Sequence, residues 1–147
     1  MARKLFLPIL LVAVVFGHVS VAQAERLRRH GFQVGVELSV GDLSAAREHV
    51  LSSIVLEATN NIVKHAKPGS PCSLTLRRSE GEVVGEFKNV PKMPTTGQGL
   101  GLVGVAERLA LLNGHSETYR SKGRWLLRIV VPVGVSHLEP TRAPDDD

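Results

Sequence analysis

Glu57, Asn61 and Lys64 fall at positions i, i+4 and i+7, and His65 follows directly. On a helix the first three share an arc of about 60°, with His65 at its edge. A carboxylate, a carboxamide and an ammonium on one helix face suit a metal–phosphate site. Magnesium is a hard cation that takes oxygen ligands and keeps several waters, so one Asn61 oxygen plus phosphate oxygens can hold it. Glu57 is placed to orient or deprotonate a nucleophile. Lys64 and His65 can meet phosphate charge. The plainer reading of the same face is a solvated surface with an incidental ion pair.

A second segment, GQGLGLVGVAERLALLNG at residues 97–114, carries Gly97, Gly99, Gly101 and Gly104, with Leu100 among them. It then runs into an amphipathic helical pattern. A glycine-rich entry to a helix presents free backbone N–H groups and the positive end of the helix dipole, a combination that binds phosphate. The plainer reading is a surface loop before an ordinary helix. A Rossmann turn needs a strand immediately before the glycines, and the irregular PKMPTT stands there instead. A P-loop needs Gly-Lys-Ser/Thr, which is absent.

The elements that must position these residues are readable in outline. FQVGVEL at residues 32–38 alternates and is β-branched, which predicts a strand. Asp42 and Ser44 then offer helix caps. Over residues 45–66 the pattern is helical, and Leu51, Val55, Ala58, Ile62 and Ala66 fall within an apolar arc of about 80°. CSLTLRR and EVVGEFKNV predict two strands joined by a Ser-Glu-Gly turn. PKMPTTGQG is a loop, and residues 100–112 predict a helix stopped by Asn113-Gly114. SETYR and WLLRIVVPV predict a closing pair of strands with a turn at residues 121–123. The order β-α-β-β-loop-α-β-β predicts a two-layer α/β (α+β) sandwich, a mixed sheet with helices on one face.

Composition sets the bounds. The 147 residues are 43% hydrophobic and 22% charged, enough for one domain with a core. Of the basic residues behind the net charge of +4, Arg3, Lys4, Arg26, Arg28 and Arg29 all lie before residue 30, and the rest of the chain carries no basic excess that calls for nucleic acid. Aromatics at 4% argue against base-stacking platforms. The single cysteine, Cys72, excludes an intrachain disulfide and a cysteine metal site.

The ends read differently from the body. Residues 1–24 resemble a secretory leader: a basic start, an apolar run and Ala22-Gln23-Ala24 as an A-x-A-like site. The uncharged residues 5–24 also have the length of a membrane anchor. A third reading is a buried helix of a longer parent protein or an irregular start of the reading frame. Residues 25–134 form the domain, and the acidic, proline-containing residues 135–147 read as a disordered tail.

The two chemical segments together resemble the GHKL ATPase superfamily. EATNNIVKHA is similar to its N box, and GQGLGLVGVAERLALLNG to its G box. The run GLGLVGVAERLALLNG, followed by GRWLLRIVVPV, looks most like nitrate-sensor-type two-component sensor histidine kinases, actinobacterial ones above all. The resemblance spans roughly residues 25–133 and implies the Bergerat fold, with ATP and Mg2+ as cofactors. It implies that Asn61 ligates magnesium and that Glu57 holds the general-base position. Lys64 and His65 would lie near the phosphates. Gly97, Gly99, Leu100, Gly101 and Gly104 would belong to the ATP lid and the helix after it. Asn89 stands where the family's DxGxG box carries its adenine-recognising aspartate, and an Asn oxygen can accept the same hydrogen bond. The glycines of that box are missing. No histidine fits a phosphoacceptor helix: His18 lies in the apolar run, His30 before the first strand and His115 in a turn. The resemblance therefore implies an isolated catalytic domain, a truncated product or a chain that works in trans. Its partner would be a histidine-containing dimerisation domain or a response regulator. Two other functions fit the same residues: a GHKL serine kinase of the anti-sigma-factor type, and a non-catalytic interaction module. Use of ATP places the domain in the cytoplasm, with membrane association through residues 5–24 on the anchor reading.

Overall fold

The computed structural model describes residues 7–93 and 101–134, the side chains of 7–16 and 18 excepted. In chain order the elements are α1 (Leu7–Arg29), β1 (Gln33–Ser39), α2 (Ala45–His65), β2 (Pro71–Ser79), β3 (Glu82–Asn89), α3 (Gly101–Ala110), β4 (His115–Ser121) and β5 (Arg124–Pro132). The strands form one mixed sheet in the order β1-β2-β3-β5-β4. β1 runs parallel to β2, and the other three pairings are antiparallel. This is the expected α+β architecture.

α2 forms where its apolar period demands. Ser44 caps it, its side chain accepting from the Arg47 N–H, and Ala66 closes its far end. Leu51, Val55, Ala58, Ile62 and Ala66 are all buried, joined by Ile54 and Thr59. They pack on the inner face of the sheet, where Leu74, Leu76, Val83, Phe87, Leu127 and Ile129 are buried in turn. Both hairpins close with two residues at positive φ: Glu80 and Gly81 at 48° and 79°, Lys122 and Gly123 at 53° and 74°. Turns of that kind match the right-handed twist of the strands they join.

Among the described residues no helix covers the opposite face of the sheet. Glu37, Thr75, Glu86, Arg128 and Glu117 line up across it in register. Charge on this face keeps it wet, as an antiparallel sheet covered on one side requires.

α1 covers the stretch for which the sequence left leader, anchor and buried helix open. It runs unbroken through residue 24 to Arg29, and Ser20, Ala24 and Leu27 are buried. Arg26 Nη1 donates to Asn60 Oδ1 at 2.6 Å, fastening α1 to α2. Among the described residues no helix is long and apolar enough to cross a membrane.

α3 is shorter than the predicted 100–112 span. Leu112, Asn113 and Gly114 donate their N–H groups to Leu109, Ala110 and Leu109 carbonyls, unwinding the helix end. Asn113 takes the left-handed conformation at φ 56°. Gly114 is needed for a different reason: a Cβ there would lie 2.6 Å from the Val130 carbonyl oxygen.

Candidate functional site

The site is built on one side of α2, away from its apolar arc. Glu57 and Asn61 are half-buried one turn apart, and Lys64 and His65 are exposed in the last turn. Asn61 has no hydrogen-bond partner among the described residues. A half-buried carboxamide with no partner among these residues is available to a ligand.

α3 comes against the same side. Arg108 Nη1 donates to Glu57 Oε2 at 2.5 Å across the two helices. Gly104, one turn earlier on α3, lies beneath that carboxylate: a Cβ there would sit 3.7 Å and 3.8 Å from its two oxygens. Val105 and Leu109 form the neighbouring row of α3 and are fully buried in the core. The structure thus joins two predicted residues, Glu57 and Gly104, through a third that sequence reasoning missed. The signal was available in part: Arg108 is i+4 from Gly104, hence on one face of α3. Gly101 opens α3. Gly97, Gly99 and Leu100 lie outside the described residues.

The third part is the end of β3. Asn89 shares a face with Val83 and Phe87, towards the helices, and is 6% exposed. Its carboxamide also has no partner among the described residues. The segment after it returns along the end of α2. Lys67 N–H donates to the Val90 carbonyl at 2.7 Å, and Lys92 N–H to the His65 carbonyl at 2.8 Å, around an Ala66–Pro91 bridge. Lys92 Nζ reaches the Lys64 carbonyl at 3.4 Å. Lys64, His65, Lys67 and Lys92 are therefore gathered at one end of the site, a concentration of cationic and imidazole groups suited to an anion.

Two other features stand apart. A depression of about 210 Å³ lined by Glu82, His115, Glu117, Arg128 and Val130 lies on the helix-free face, far from α2 in the topology. Cys72, on β2, is buried, and burial pushes its thiol above the ordinary value while Arg28 draws it down by less.

No family model matches the chain, and no curated protein matches it. Solved structures do. A histidine kinase domain from Erythrobacter litoralis EL346 blue-light activated histidine kinase superposes with a TM-score of 0.70 at 17% identity, over 83% of this chain and 61% of that one. Acinetobacter baumannii histidine kinase AdeS gives 0.66 at 13%, over 82% and 64%. The catalytic domain of histidine kinase ThkA gives 0.65 at 16%, over 82% and 92%. The chain spans less than two thirds of the first two structures and nearly all of the third. These identities carry the fold and not the residues' roles. On that footing, the chain folds as the catalytic domains of histidine kinases fold.

Proposed function

We propose that this domain binds Mg-ATP between α2 and the end of β3 and passes the γ-phosphoryl group to a histidine on another domain or chain. The observation that carries the reading is the pair of carboxamides without a partner among the described residues, Asn61 on α2 and Asn89 on β3, flanking the basic end of α2. The donor set fits magnesium held jointly with phosphate. Among the described residues no cluster of three His, Cys, Asp or Glu could hold a metal by protein alone, whereas one Asn oxygen with phosphate oxygens is a usual magnesium environment. When bound, magnesium offsets the charge that builds on the phosphates during transfer.

The chain's own residues have separate tasks on this reading. Asn61 Oδ1 supplies the protein's metal ligand. Lys64 and His65 face phosphate oxygens. The Asn89 carboxamide oxygen accepts from the adenine amino group. The resemblance assigns Gly97, Gly99, Leu100, Gly101 and Gly104 to nucleotide binding. The acceptor imidazole nitrogen bonds to the γ-phosphorus as its bond to the bridging oxygen breaks, ADP leaves, and Glu57 takes the imidazole proton. The GLGLVGVAERLALLNG run favours the nitrate-sensor type among such kinases, and use of ATP favours the cytoplasm.

Calorimetric titration of the full chain with ATP, with and without magnesium, tests the proposal. Magnesium-dependent binding is expected in wild type and is expected to be lost in Asn61→Ala. An unchanged magnesium dependence in that variant overturns the assignment.

A further inference from the structure

Arg108 has no task in the nucleotide chemistry proposed above, yet it makes the only ion pair to Glu57 among the described residues. We propose that Arg108 is the positioning residue of the site, holding the Glu57 carboxylate over Gly104 so that Oε1 is the oxygen left to accept a proton. The inference rests on Glu57 being the general base.

Three observations carry it. First, the contact is one-sided: Arg108 Nη1 meets Oε2, and Oε1 has no hydrogen bond among the described residues. A carboxylate fixed through one oxygen keeps a defined direction for the other. Second, Gly104 lies against the carboxylate: a Cβ there would stand in ordinary van der Waals contact with both Glu57 oxygens, at 3.7 Å and 3.8 Å, and 4.0 Å from Arg108 Nη2. Gly104 and Arg108 are one helical turn apart, so α3 presents the floor and the clamp from one face. Third, the pair is not what seats α3. Val105 and Leu109 on the adjacent row are fully buried, while the Arg108 and Glu57 side chains are 39% and 26% exposed. Pairs so open to water add little to stability. Lys64, two turns along α2, makes no ion pair with Glu57 among the described residues, and a lysine is a point charge without the fork that fixes a carboxylate's plane.

ADP production from Mg-ATP by the full chain, with water as acceptor in place of imidazole, reads this role. Arg108→Gln is expected to lower kcat about 10- to 100-fold, since misplaced catalytic groups cost on that order, while KM for ATP changes by less than about twofold. Arg108→Lys is expected to recover part of the loss. The double variant Glu57→Gln/Arg108→Gln is expected to be no slower than Glu57→Gln alone. A wild-type kcat in Arg108→Gln, or a double variant showing the product of both single losses, overturns the proposal. Failure of the underlying reading looks different: wild type then makes no ADP, or Glu57→Gln matches it. A nucleotide-free crystal structure of Arg108→Gln decides the positioning claim in either case. The Glu57 side chain is expected to leave Gly104, and an unmoved carboxylate overturns the claim.

Discussion

Arg26 on α1 and Asn60 on α2 are joined side chain to side chain at 2.6 Å, one residue before Asn61. The last turns of α1 are therefore part of the support for the helix that carries the site. Leu27, beside Arg26, is fully buried. Leu27→Ala is expected to cost about 2–5 kcal/mol, the range for emptying a packed leucine site. Urea unfolding of the full chain measures it. An unchanged midpoint would show that α1 does not pack on the domain.

Asn89 gives a prediction about base identity. If its carboxamide oxygen accepts from the adenine amino group, Asn89→Leu leaves that donor unpaired at about 1–3 kcal/mol. ATP affinity is then expected to fall about 5- to 150-fold while GTP affinity changes little. Competitive titration with both nucleotides checks it. An equal ATP-to-GTP ratio in wild type and variant would remove Asn89 from adenine recognition.

At the end of α3, two neighbouring residues should respond oppositely. Gly114→Ala forces a Cβ to within 2.6 Å of the Val130 carbonyl oxygen, and the backbone must shift at about 1–3 kcal/mol. Asn113→Gly, at φ 56°, relieves a left-handed residue and is expected to be neutral to slightly stabilising. Thermal melts of the two variants give the comparison, and equal destabilisation would contradict it.

Cys72 predicts an alkaline loss of stability. Its folded pKa is raised, chiefly by burial, so the unfolded chain releases the thiol proton first as pH rises. The contribution is complete below about pH 9 and falls as pH climbs towards the folded value. The stability difference between wild type and Cys72→Ala should shrink from neutral pH to about pH 10. A difference constant over that span would mean that the thiol ionises equally in both states.

What the sequence made legible follows from range. α2 was readable because Leu51, Val55, Ala58, Ile62 and Ala66 repeat at helical spacing within one segment, and Ser44 marks its start. The hairpins were readable because glycine marks each turn. Glu57 and Asn61 were readable as a polar face for the same local reason. The partner of Glu57 was not, because Arg108 reaches it only through the crossing of α2 and α3, which no local period encodes. α1 was left open for a related reason: its apolar residues suit a leader, an anchor or a packed helix equally, and only the burial of Ser20, Ala24 and Leu27 shows where its end rests.

The strand order has a consequence for synthesis. β5 comes after every other strand in the chain yet lies inside the sheet, between β3 and β4. While the chain is being made, β2 and β3 can close as a hairpin within microseconds, and β1 can join them. β3 then waits with an open hydrogen-bonding edge until residues 124–132 emerge. An open edge beside buried-type side chains such as Phe87 invites pairing with the wrong chain. Nascent chains stopped before Trp125 are thus the ones that should depend on chaperones, and release of β5 from the ribosome is the event that ends the dependence.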